Sequence, residues 1–135
     1  MGYYSEVYIA VPKKAETEMD KAMNKHNLLK KMIKTEEDLE NKFCDTPFKK
    51  FDHEQTYTQH ENDKWIKKTK KLVIYEGVWL KWYSEFKDVQ AVTSVVENHE
   101  DDGACIVCVG EDGAIHSDTG EYQDVFNVYV KVELT

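Results

Sequence analysis

Two of the three cysteines stand three positions apart, in Cys105-Ile106-Val107-Cys108, the spacing used by metal-thiolate and thiol-disulfide sites. That chemistry needs both sulfurs on one side of the chain. The surrounding run at 104–109, ACIVCV, is apolar throughout and reads as a short buried strand. Residues three apart on a strand face opposite sides, so these two thiols are expected to be structural. Cys44, His53 and His60 form a second set of metal-ligand types. Their spacing matches no common zinc site and a fourth ligand is not evident, so no metal or other cofactor is expected.

The carboxylates Glu100, Asp101 and Asp102, with Glu111, Asp112 and Asp118 nearby, could in principle hold a divalent cation. They lack the alternating ligands of a calcium loop and read as solvated acids. His99 has Glu97 and Glu100 as sequence neighbours, and His116 has Ser117 and Asp118. Neighbours in sequence do not make a catalytic geometry, so neither histidine is assigned acid–base work. The turn at 110–113, Gly-Glu-Asp-Gly, is too short and too acidic to cradle phosphate. No spacing in the chain specifies a reaction.

Charge is more informative. The 135 residues carry a net charge of −8, and all 18 basic residues are lysine. Without arginine the chain lacks the side chain best suited to bidentate carboxylate or phosphate recognition. Residues 1–87 hold 17 lysines against 15 acids, while residues 88–135 hold one lysine against 11 acids. So acidic a C-terminal half disfavours direct contact with nucleic acid or an anionic membrane and suits a protein with a basic surface. An exception to this balance is the run with lysines 64, 67, 68, 70 and 71 around Trp65. It could be a nucleic-acid stripe with an interleaved aromatic. The simpler expectation is a solvated strand whose lysines deter edge-to-edge pairing.

These residues need elements to hold them. Residues 3–11 alternate with period two and predict a strand ended by Pro12. Ala15, Met19, Ala22, Met23, His26, Leu29 and Ile33 fall at helical spacing, an amphipathic helix of about five turns. A short second helix is expected after Thr35. Residues 44–63 show neither period and are expected to form an irregular, mobile insert, tacked down by Phe48 and Phe51. A strand follows over 64–75, then a turn at Glu76-Gly77. The aromatic stretch from Val78 to Tyr83 reads as a further strand, with Ser84 capping a helix over about 85–98. A strand at 104–109, a brief one at 114–116 and a long alternating one from Tyr122 to Leu134 complete the chain.

The expected architecture is one α+β domain spanning 1–135. An antiparallel or mixed sheet of about four to six strands carries two or three helices on one face. The length supports a core without staples. No apolar run could span a bilayer, and the start of the chain lacks the pattern of a signal peptide. An odd number of cysteines points to reduced thiols, so a cytoplasmic location is expected.

Three segments together carry a resemblance. They are Met1-Gly2-Tyr3 with Ser5-Glu6-Val7, Lys81-Trp82-Tyr83 leading to Val89-Gln90-Ala91, and Val109-Gly110-Glu111-Asp112. In this order they resemble small uncharacterised bacteriophage and prophage proteins, over about 45 residues. The resemblance implies an accessory phage protein in a bacterial host cytoplasm, of a kind that binds and blocks a host or defence factor. It transfers no catalytic residue, and residues 36–71 depart from the pattern.

The function expected from sequence is therefore binding to a basic protein partner. Asp101, Asp102, Glu111, Asp112 and Asp118 would form the acidic contact, with Phe48, Phe51, His53 and His60 adding to it. The alternative is a small-molecule or nucleotide site near Trp79, Trp82 and His116. A homodimer through a sheet edge is the third possibility.

Overall fold

A computed structural model describes residues 5–26, 28–29, 48–80 and 82–126, with backbone alone at 78 and 79. Its centre is strand β1 (Ser5–Pro12), where Val7, Ile9 and Val11 are fully buried on one face. Alternating β-branched residues can serve two faces at once, and a strand so placed needs neighbours on both edges. It has them. β3 (Lys64–Leu80) and β4 (Cys105–Gly110) both pair with β1 antiparallel. β2 (Lys49–Glu61) and β5 (Ile115–Thr119) form the outer edges, giving the order β2-β3-β1-β4-β5.

Helices α1 (Glu16–Lys25) and α2 (Lys87–Asn98) cover the same face of the sheet. Met19 and Met23 of α1 and Val92, Val95 and Val96 of α2 pack with Val7, Ile9, Val73, Tyr75 and Ile106. Spacings of three and four residues put each set on one helical stripe. The opposite face is smaller: Ala10, Leu72, Ile74 and Cys105 lie under Tyr122, Val125 and Phe126. This is the expected α+β sandwich of sheet and helices, wholly antiparallel among the described strands.

Four local readings change. Residues 49–61, expected to be irregular, form the straight edge strand β2. The turn expected at Glu76-Gly77 is absent, because β3 runs unbroken through it and Gly77 pairs with Val7. A side chain at 77 would crowd the Leu80 side chain and the buried Phe48 ring, whose Cε1 would lie 2.8 Å from an added Cβ, so both would have to shift. Helix α2 starts at Lys87, and Phe86 rather than Ser84 holds the cap position. α1 ends at Lys25 with His26 at its C-cap, earlier than the apolar stripe suggested. The helix expected after Thr35 and most of the strand expected over 122–134 lie outside the described residues, and 122–124 is a 3-10 turn.

An ionic network ties the edge strand to the body. Tyr75 donates a hydrogen bond to Asp20 at 2.7 Å, and Lys50 bridges Asp20 at 2.6 Å and Glu16 at 3.0 Å. Lys13 then joins Glu16 at 3.1 Å to Asp52 at 2.9 Å. Hydrogen bonds from Lys50 and Lys13 hold the Glu16 carboxyl below its usual range. Burial, then the bond to Asp20, raises the Tyr75 hydroxyl far above its ordinary value.

Candidate functional site

β2 and β3 form a hairpin that outruns the sheet. Their pairing extends from Lys49↔Glu76 to Glu61↔Lys64. β1, however, ends at Pro12↔Leu72. The eight pairs from Glu54↔Lys71 outward therefore have no third strand, an arm of about 26 Å. Asn62 and Asp63 close it with φ of 49° and 62°, the left-handed pair that a two-residue type I′ loop demands and that Asn and Asp tolerate. A two-stranded ribbon is marginal alone, and this one is anchored by its continuity with β3. At its root, Gln55 donates to the Asp124 carbonyl.

Directly paired residues share a face, so the register sorts the arm's side chains. The face on the helix side carries Thr56, Thr58 and His60 from β2, with Trp65, Lys67, Thr69 and Lys71 from β3. All are exposed, and Trp65, at 73%, is the most exposed of the large apolar residues described. The His60 ring lies 5.0 Å from the Trp65 ring. Glu54, at the root, is the one carboxylate on this face. The other face carries Tyr57, Ile66, Lys64, Lys68 and Lys70, and Lys68 is bound to Glu61 at 2.7 Å.

The residues singled out from sequence fall in different places. Phe48 is fully buried beneath the T-shaped ring of Trp82 at 5.6 Å, so it belongs to the core and cannot touch a partner. Phe51 is 39% exposed and pairs with Ile74 on the face away from the helices. His53 sits at the root and His60 near the tip, on opposite faces of β2 and about 23 Å apart. They cannot share a metal, and Cys44 lies outside the described residues. Among the described residues no group of three potential ligands is placed to hold a metal ion. Cys105 and Cys108 face opposite sides as expected, and burial pushes the Cys105 thiol up to about 11.

The acids are spread along one edge rather than clustered. Asp101 and Asp102 precede β4, Glu111 and Asp112 follow it, and Asp118 sits on β5 opposite Val107. The two ends of that edge are about 17 Å apart. Asp102 is committed to Lys14 at 2.8 Å, which holds its carboxyl below the usual range. Asp112 accepts from the Ala114 amide and meets His116 at 3.2 Å, so it shapes the β4–β5 turn. Trp82 and His116 are not brought together: Trp82 follows β3 and His116 lies on β5, strands three spacings or about 14 Å apart. The Trp79 side chain lies outside the described residues.

One open cleft, of about 550 Å³, does collect predicted residues. The predicted Asp101 and Asp102 line it with Asp124, and with Lys70 and Tyr57 from the arm. Its mixed charges suit a water-filled seam between arm and body. No helix among the described residues is long and apolar enough to cross a membrane.

No family model matches this chain, and neither does a curated protein or a solved structure.

Sequence reasoning found the β3 half of the arm, with Trp65 and its lysines, but missed β2 and the pairing that makes the arm. Its signals were Thr56, Tyr57 and Thr58 as strand formers and Asn62-Asp63 as a turn pair. With water on both faces there was no apolar alternation to reveal it.

Proposed function

We propose that this protein acts by binding a macromolecule, and that the β2–β3 arm is the part that binds. The observation carrying the reading is Trp65, 73% exposed on a ribbon eight pairs longer than the sheet requires. Burying such a ring in a partner returns about 25 cal/mol for each Å² of apolar surface removed from water. In the free protein that surface contributes nothing to the fold. A phage-type accessory role, with the arm engaging a host factor, is the setting that the sequence resemblance implies.

The test uses a trimmed chain in which residues 57–68 are replaced by Asn-Gly, joining Thr56 to its existing partner Thr69. Immobilised full-length chain should retain a partner from host lysate that the trimmed chain does not. Equal retention by both would overturn the reading.

A second reading is favoured by a separate observation: residues 97–124 hold nine acids and no lysine. In it, the β4–β5 edge meets a basic protein. Charge reversal at Asp101 and Glu111 would then weaken capture, and the loss would shrink as salt is raised. Capture that survives both changes would exclude it.

A further inference from the structure

We infer that the helix-side face of the arm is a track for a single strand of nucleic acid, bound without regard to sequence. The inference rests on the arm being the binding element and adds the chemistry of its ligand.

That face offers a planar ring, ammonium groups and hydroxyls in alternation. Along β3, Trp65, Lys67 and Lys71 stand at intervals of two and four residues with a threonine between the lysines, so successive groups are about 6.8 Å apart. Two more threonines face them from β2. Ammonium and hydroxyl groups of this kind contact phosphate and sugar oxygens and fix position without reading bases. Neither Lys67 nor Lys71 is in an ion pair among the described residues, whereas Lys68 on the other face is.

The ring decides between kinds of polyanion. An acidic peptide would use the lysines and leave Trp65 in water. A nucleotide uses both, because every base has a face that can stack on an indole. His60 packs against Trp65 from the neighbouring strand at 5.0 Å and limits its rotation, so the ring is held ready. Stacking on Trp65 requires a base that is free of its own stack, which selects a single strand over a duplex. With no arginine in the chain, the commonest bidentate reader of guanine is missing, so sequence preference should be slight.

The protein's net charge of −8 does not forbid this. The arm itself carries Glu54 opposite Lys71, Glu61 bound to Lys68 and Asp63 in its turn, three acids against five lysines, and the acids of the body nearest to it line the cleft at Lys70. Lys67 lies about 10 Å along the strand from that point and Trp65 about 17 Å. The screening length at physiological ionic strength is about 8 Å, so the outer arm is largely insulated from the acids of the body.

The test is fluorescence anisotropy with labelled oligothymidylate and oligouridylate of about 12 nucleotides, and a duplex of equal length, at low and rising salt. The full-length chain should bind the single strands more tightly than the duplex. Trp65→Ala should weaken binding about tenfold or more. The double change Lys67→Ala, Lys71→Ala should flatten the plot of log affinity against log salt by about 1.4, or 0.7 for each phosphate no longer neutralised. Lys64→Ala with Lys70→Ala removes the same charge from the other face and should leave the Trp65-dependent tenfold intact. Preference for thymidylate or uridylate assigns DNA or RNA, and either supports the inference.

No binding at low salt, a Trp65→Ala effect within about twofold, or tighter binding of the duplex would overturn it. If the full-length chain binds no oligonucleotide while trimming still abolishes protein capture, the arm remains the binding element and this inference alone falls. Oligonucleotide bound equally by the trimmed chain would overturn this inference, and equal protein capture by the two chains would overturn the reading it rests on.

Discussion

Strand β3 is one backbone with two environments. From Leu72 to Tyr75 its side chains are buried on both faces, between helices and C-terminal segment, with β1 and β2 on its edges. From Lys64 to Lys71 it has one neighbouring strand, and its side chains are exposed or half-buried. Sequence changes at the same point: LVIY inside, KWIKKTKK outside. The inner half is held by what it buries, and the outer half by being the continuation of the inner. A segment of the second kind adds no side chain to the core, and its exposed ring and lysines are what the proposed binding would use.

The comparison is broken most directly by amide exchange. Amides of Val73 and Tyr75 should exchange only through global unfolding, at the several kcal/mol typical of a domain's stability, about 5–15. Those of Trp65 to Lys68 should exchange through local opening at a small fraction of that. The boundary should fall near Leu72, where β1 ends. Uniform protection along β3 would mean that arm and body open as one unit.

Substitution gives the next largest contrast. Ile9→Ala removes a fully buried side chain from the central strand and should cost about 2–5 kcal/mol in denaturant unfolding. Ile66→Ala, at 38% exposure on the arm, should stay within about 0.5 kcal/mol. Equal effects would erase the distinction.

A smaller effect is expected at Gly77→Ala. The added Cβ meets the Phe48 ring, which is wedged against Trp82, and overpacking of this kind costs about 1–3 kcal/mol. An unchanged midpoint would show that Phe48 has room to move.

The same contrast explains what could be read from sequence. β1, β4 and α2 were legible because burial writes itself as a period: two for Val7, Ile9 and Val11, three and four for Val89, Val92 and Val96. The opposed cysteines followed from the same rule. Gly77 was misread as a turn because a glycine signals a missing side chain without saying whether a bend or the Phe48 ring is the cause. β2 failed for the opposite reason, since nearly every residue from Lys49 to His60 is exposed and an element that buries nothing leaves no apolar pattern. The candidate site lies half in that stretch and half on the outer part of β3, where the strand and its lysines around Trp65 were legible. The acids drew attention by number, yet Asp102 and Asp112 are spent on Lys14 and on the β4–β5 turn.

The most direct test of the account is the unfolding midpoint of the chain with residues 57–68 replaced by Asn-Gly, followed by circular dichroism. If the arm serves binding and the body serves stability, the trimmed chain should unfold within about 0.5 kcal/mol of the full-length chain. A loss of about 2 kcal/mol or more, the size expected for a core contact, would show that the arm is part of the fold and contradict the account.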